Sequence, residues 1–359
     1  MANPYLNDFS AGMANGRPSV SPAQPSPRPM SAHSAHGDAG QVRYLGHWPE
    51  LLGDLGLLGS VWIETESPGL RVVQRQRLTG LRVRGLVGYL DTPEYQVRLL
   101  LDACHALRAL DDAQGLLVEE LGGQPLVSLR LDARSHPLPL RVLLSSLGAQ
   151  DRSVVPAPHP RQEAPIAALE QHAVGRLQRD CQTLGPDLGF REVAELSGRL
   201  SLQPEQLRQM TAEAGAEAVA VDPSLVPCAL ETLADQVYPL ALSSGSRGWV
   251  SRAVQSVYGH AYVDGQLALR GDAARLELDV RAIDSAWVVG RRSGERDERS
   301  LRLYDADGRA IAVIASGADP WSCGRRDDGG ARVSAGRPHG QWRPDAVRLW
   351  TTLMNALTS

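Results

Sequence analysis

The sequence contains no lysine, so all 37 of its basic side chains other than histidine are guanidinium groups. These are planar, permanently charged and shaped to grip a carboxylate or phosphate through paired hydrogen bonds. Three of them stand out by position: Arg247 follows Ser244-Gly245-Ser246, and Arg291 and Arg292 close the apolar run Ala286-Trp287-Val288-Val289. Each reads either as part of an anion clamp or as an ordinary solvated turn residue. His260, in Tyr258-Gly259-His260-Ala261-Tyr262, reads either as a metal ligand or as a structural histidine, and His105, beside Cys104 on an apolar segment, reads as a buried, hydrogen-bonded one. His33 and His36 offer no more than weak adventitious metal binding. The four cysteines, Cys104, Cys181, Cys228 and Cys323, form no CxxC pair, which argues against a zinc knuckle or a thioredoxin-like redox site. Asp305 and Asp307 belong to a turn whose carboxylates satisfy backbone amides. No nucleophile elbow, phosphate loop or dinucleotide fingerprint sits between a strand and a helix, which argues against standard hydrolase and nucleotide chemistry.

The elements that must carry these side chains come from a chain of 359 residues, long enough for two lobes. With 41 acidic residues the formal net charge is -4, so the overall field favours neither nucleic acid nor an anionic membrane, and an anionic ligand needs a local cluster. No apolar run is long enough to span a membrane, and the N-terminus has no basic n-region or apolar h-region. Scattered reduced thiols fit a cytoplasmic location. Residues 1–41, rich in Pro, Ser, Ala, Gly and His, read as a disordered tail. Residues 151–165, with Pro156, Pro158 and Pro160, read as a linker between a first lobe, 42–150, and a second, 166–359.

The lobes echo each other. A helix beginning at Trp48 and an extended run closing at Ser67 are repeated by a helix after Pro223 and a run closing at Ser246, Ser67 matching Ser246 at an offset of 179. A second echo sets the text from Val127 against that from Arg299, Ser128 matching Ser300 at an offset of 172. In the later copy, Leu301 and Leu303 and then Ile311 and Val313 flank Asp305-Ala306-Asp307-Gly308, a β-hairpin. In the earlier copy, Pro137 and Pro139 suggest an edge or a bulge. Further strands are expected at 70–75, 82–86, 115–119, 249–257, 266–270, 275–280 and 286–290. The block 166–218 has helical periodicity, 317–341 is a Gly- and Arg-rich loop, and 345–357 is a closing amphipathic helix. Because the strands come in runs, the fold class is α+β: an internal duplication of two lobes, each with an antiparallel sheet and helices grouped on one side.

Ile283-Asp284-Ser285-Ala286-Trp287-Val288-Val289, followed by Ser300-Leu301-Arg302-Leu303-Tyr304-Asp305-Ala306-Asp307-Gly308, resembles the Ala-Trp-Val-Val strand and Phe-Asp-Ala-Asp-Gly hairpin of the bacterial hemin-degrading and hemin-transport family. Ser246-Arg247-Gly248-Trp249 is similar to that family's Asn-Arg-Gly-Cys strand start, and the likeness spans most of residues 42–315. It implies a duplicated fold with heme in a cleft between the lobes, and Arg247, Arg291 and Arg292 on the heme propionates. Arg325 and Arg326 loosely replace a basic motif. The family's iron-ligating histidine opens the second helical block, and an ungapped alignment puts Phe190 there. Phenylalanine cannot bind iron, which leaves His260 as the candidate metal ligand. The resemblance thus implies a cytoplasmic heme-binding and trafficking protein in heme-iron uptake and utilisation, serving a heme importer or a heme-using enzyme. A heme oxygenase-like enzyme is the alternative. A helix-turn-helix regulator built on Phe190–Met210 is a third reading, with only Arg199 and Arg208 for its second helix.

Overall fold

A computed structural model describes residues 43–44, 48–92, 94–110, 114–120, 122–150, 175, 177–181, 188–213, 216–271, 273–293, 296–317 and 344–359. The expected tail and linker, His33, His36, Cys323, Arg325 and Arg326 lie outside the described residues.

The first copy forms β1 (Arg43–Tyr44), α1 (Trp48–Leu55), β2 (Ser60–Ser67), β3 (Leu70–Arg77), β4 (Arg82–Arg84), β5 (Val87–Asp91), β6 (Tyr95–Leu100), β7 (Ala106–Ala109), β8 (Gly115–Glu119), β9 (Pro125–Leu131) and α2 (Leu138–Gln150). A helical segment, 177–181, α3 (Phe190–Leu196) and α4 (Pro204–Glu213) follow. The second copy continues with β10 (Ala216–Val221), α5 (Val226–Asp235), β11 (Pro239–Gly245), β12 (Trp249–Ser256), β13 (Gly259–Val263) and β14 (Gln266–Arg270). It ends with β15 (Ala274–Asp279), β16 (Ser285–Ser293), β17 (Arg296–Tyr304), β18 (Ala310–Ser316) and α6 (Pro344–Thr358).

Two antiparallel nine-stranded sheets result, ordered β1-β7-β8-β9-β2-β3-β15-β14-β13 and β10-β16-β17-β18-β11-β12-β6-β5-β4. The two orders are the same list with the copies interchanged. Strands β2 and β11 start at Ser60 and Pro239, β3 and β12 at Leu70 and Trp249, β5 and β14 at Val87 and Gln266, β6 and β15 at Tyr95 and Ala274, and the offset that separates Ser67 from Ser246 recurs in every pair. Each sheet therefore takes six strands from one copy and a three-stranded meander from the other. The crossing contacts are β3 with β15 and β12 with β6, and at their centre the Gln74 amide donates to Tyr95 Oη and to Ser251 Oγ, both at 3.2 Å.

The second textual echo needs correcting. By its place beside β2, β9 corresponds to β18 beside β11, and these strands start at Pro125 and Ala310, well beyond the offset that the echo suggests. The match of Val127 with Arg299 is one strand early, because Ser-Leu-Arg-Leu records only the two-residue alternation that any half-buried strand shows. After β9 the chain enters α2 instead of a hairpin. Pro137 and Pro139 sit at that helix start, where a missing N–H costs nothing, and the Pro137 carbonyl accepts from the Arg141 amide at 3.1 Å. The stretch 216–221, expected to be helical in part, is edge strand β10 on β16.

Alternation along the second sheet divides two cores. Val288, Leu301, Leu303, Leu240 and Leu242 face a buried cluster that includes Leu70, Leu267 and Leu276 of the first sheet. Into it α5 sends Val226, Leu230 and Leu233 and α6 sends Trp350 and Met354, each at helical spacing. The opposite face, with Trp287, Val289, Tyr304, Val313, Val250 and Leu100, is covered by α3, α4 and the segment 177–181. The first sheet packs on α1 and α2 through Leu51, Leu52, Leu55, Leu140 and Leu143. Burying each such side chain is worth about 1.5–3 kcal/mol. Among the described residues, no helix is long and apolar enough to cross a membrane.

Candidate functional site

The face of the second sheet beneath α3 gathers several buried charges. Strand parity puts it there: Arg302 lies between Leu301 and Leu303, and Arg98 between Val97 and Leu99, so their apolar neighbours point to the other core. Arg252 comes up on the same face two residues from Val250. From above, Glu192 and Glu195, one helical turn apart, project down from α3.

Glu195 is fully buried and is the hub. It accepts from Arg302 Nη1 at 2.8 Å, from Arg191 Nε at 2.7 Å and from Tyr304 Oη at 3.2 Å. Burial works against the Arg302 cation, but Glu195, Tyr304 and Glu192 outweigh it and hold the guanidinium above its ordinary range. Burial, reinforced by Glu195, also raises the Tyr304 phenol, which stays protonated. Glu192 has one carboxyl oxygen shut off from solvent without a partner, and its burial pushes the acid upward against the opposing pull of Arg252. Arg98 is wholly buried. Its Nη1 is spent on Asp91 Oδ1 at 2.7 Å and the Val97 carbonyl at 2.8 Å, while Nε and Nη2 have no partner among the described residues. Unpaired guanidinium N–H groups held in a dry environment are ready to take an anionic oxygen.

The expected site residues are not brought together. Counting antiparallel strands from β11 through β18 and β17 to β16 puts the turn with Arg247 at one end of the sheet, and the end of β16 with Arg291 and Arg292 at the other. The Arg247 side chain is 74% exposed, with Glu120 at 3.6 Å. The Arg291 and Arg292 backbones pair with Glu298 and Asp297. His260 lies on β13, the edge of the other sheet, with Asp235 Oδ1 at 3.0 Å and Glu231 Oε1 at 3.6 Å, both carboxylates from α5. His105 is half-buried and its amide donates to the Glu119 carbonyl at 2.8 Å, while the Cys104 thiol donates to the Leu100 carbonyl at 3.3 Å. Phe190 packs half-buried against the cluster under α3, so the helix that would carry the family's ligand brings no imidazole, thiol or thioether there. Among the described residues, no three His, Cys, Asp or Glu side chains are grouped to hold a metal.

A duplicated α+β protein with exchanged meanders and a charged sheet face under a short helix is the class defined by this geometry. Among solved structures, the chain is similar to PhuS, a heme-binding protein from Pseudomonas aeruginosa, in its apo and holo crystal forms. Identity is 19%, the TM-score is 0.64, and 89% of this chain covers 88% of that one. It is also similar to ChuS, described as a heme degrading enzyme of Escherichia coli O157:H7 and as an E. coli heme oxygenase. There identity is 17%, the TM-scores are 0.61 and 0.60, and 89% of this chain is covered. No family model matches the chain, and no curated protein does. The fold is the one that the likeness around Ile283–Gly308 implies.

Proposed function

We propose that this protein binds heme as cargo in heme-iron uptake and utilisation, and that the cytoplasm is its place of work. The supporting observation is the shared architecture with PhuS across 89% of the chain, combined with the arginine-bearing face beneath α3. Heme presents two carboxylates and a large apolar ring. Arg98, with two unpartnered nitrogens, and Arg252 suit the carboxylates, and Trp287, Val289 and Leu207 suit the ring; because α3 and α4 cover these side chains, heme would enter by displacing those helices.

The iron end fits less well, because opening the macrocycle calls for an axial donor and α3 supplies Phe190 instead. This favours a carrier over a heme oxygenase-like enzyme, with a heme importer as donor or a heme-using enzyme as recipient. The helix-turn-helix reading loses its two cations to internal contacts. Arg199 makes a bidentate pair with Asp102 at 2.5 and 2.8 Å, and Arg208 lies 5.1 Å from the Trp287 ring centroid. The segment 151–165 is read as the link between copies 42–150 and 166–359.

Titrating the protein with hemin while following the Soret band tests the proposal. A saturable 1:1 shift is expected, weakened in Arg98→Gln, unchanged in His260→Ala, and with no open-chain tetrapyrrole on adding ascorbate and oxygen. Loss of the shift in His260→Ala would restore that histidine as ligand, and weakening by Arg291→Ala would move the carboxylate end towards the far end of β16. An open-chain product would replace the carrier by the enzyme. Absence of any saturable shift would end the heme reading.

A further inference from the structure

A cleft of 600 Å³ opens on the first sheet, away from the face beneath α3, where the turn into β2, the end of β3 and the turn after β9 meet. Its walls carry Arg75, Arg77, Arg134 and His136, against a single acid, Asp132. Its floor is fixed by the backbone. The Ser135 hydroxyl and the Asp132 amide both donate to the Ser60 carbonyl, at 2.7 and 3.1 Å. Gly59 supplies the turn at φ 75°, a left-handed angle suited to glycine, and a Cβ there would lie 3.5 Å from Ser135 Oγ.

Every cation in the cleft has donors left over. Arg75 is 3.5 Å from Asp132 through Nη1, and Arg77 spends only Nε, on Ser60 Oγ at 3.3 Å. Arg134 has no partner among the described residues. His136 Nδ1 accepts the Leu138 amide at 3.1 Å, which puts the proton of the neutral ring on Nε2 as a further donor. The helix α2 begins at this wall, so its positive end adds to the field. Three guanidinium groups against one carboxylate leave a local charge of about +2 in a chain whose net charge is -4. The duplication does not impose this cluster, because the counterparts of Ser60, Arg75 and Arg77 in the register of the second copy are Pro239, Val254 and Ser256.

We propose that the cleft binds a small anion bearing two or more carboxylate or phosphate groups. Forked guanidinium donors select planar or tetrahedral oxyanions, the charge calls for at least two negative groups, and the volume lies in the range of small-molecule sites. The inference does not depend on heme binding.

Isothermal titration of the full chain at low ionic strength with pyrophosphate and with citrate tests it, with Arg77→Ala/Arg134→Ala and Arg82→Ala as variants. Arg82 is an exposed arginine on β4, in the other sheet. Saturable binding of one anion at a single site is expected, weakened by about tenfold or more in the double variant and unchanged in Arg82→Ala. Preference for pyrophosphate would assign a phosphate ligand, and preference for citrate a carboxylate one. The proposal is overturned if neither anion binds, if the double variant binds as the parent does, or if Arg82→Ala weakens binding equally. An unchanged circular dichroism spectrum shows that the variants fold.

Discussion

Replacing Glu195 by leucine removes the only acid, among the described residues, on which Arg302 closes a direct ion pair beneath α3. The pair is 2.8 Å long, Glu195 is fully buried and the Arg302 side chain is 14% exposed, so water screens it little. The variant leaves a guanidinium in an apolar layer with Trp287, Val313 and Ala310, and breaking a buried pair from one side costs about 3–5 kcal/mol. Arg191 adds little to that cost, because its side chain is 30% exposed and can turn to solvent. Removing both ions, in Glu195→Leu/Arg302→Met, deletes the desolvation cost together with the attraction and should recover more than about half of the loss. The assay is urea unfolding followed by tryptophan fluorescence, with the three variants closing a double-mutant cycle. A single-variant cost under about 1 kcal/mol, or a double variant as unstable as the two singles summed, would refute the claim that α3 is held to the sheet by this pair.

Three other outcomes are expected. Glu192→Gln should match the parent protein near pH 4 and exceed it in stability at neutral pH. An acid raised above its ordinary value of 4.5 contributes stability that is fully present below that value and lost as pH rises through the raised one; a flat difference across pH contradicts this. Of the described cysteines, exposed Cys228 should react rapidly with a thiol reagent at neutral pH. Cys181, pushed up to about 11 mainly by burial, and Cys104, pushed higher by the same cause, should lag; equal rates would show that the core opens readily. Gly69→Ala should cost about 1–3 kcal/mol, because Gly69 has φ 79° and its Cβ would stand 2.5 Å from the Ala282 methyl; a urea midpoint equal to the parent's would contradict that strain.

Much of the local structure is legible in the chain. Asp305 announces the β17–β18 hairpin: its Oδ1 accepts from the Asp307 and Arg309 amides at 3.0 and 2.8 Å. The offset read from Ser67 and Ser246 is kept by five strand pairs, the four above and β7 with β16, which start at Ala106 and Ser285. What a single sequence does not carry is the partner of an edge. Leu70–Arg77 alternates in the same way whether it meets its own meander or the other copy's, and only the packed core selects β15. The end of the block read as helical, 216–218, looks so because alanine and glutamate favour helix, and pairing with β16 overrides that preference. Arg98 could have been noticed as one charge inside Val97-Arg98-Leu99-Leu100-Leu101, a run too apolar for a solvated strand, and Glu192 with Glu195 as an acid pair on the inner face of a short helix. The resemblance puts Arg247 and Arg291 together on the propionates, and the three antiparallel pairings from β11 to β16, an odd number, set them at opposite ends of the sheet.

The exchange of meanders has a consequence for assembly. A single copy presents β3 with an unpaired edge and a three-stranded ribbon with no sheet to join, so neither half can complete its hydrogen bonding alone. As separate molecules, two such copies would form this exchanged arrangement only by meeting, and the fraction so assembled would fall on dilution. Joined in one chain, each ribbon meets its acceptor at an effective concentration in the millimolar range, so that folding no longer depends on how much protein is present. In this sense the protein is a swapped dimer made permanent, and severing the connection between the copies should restore the concentration dependence that the fusion removed.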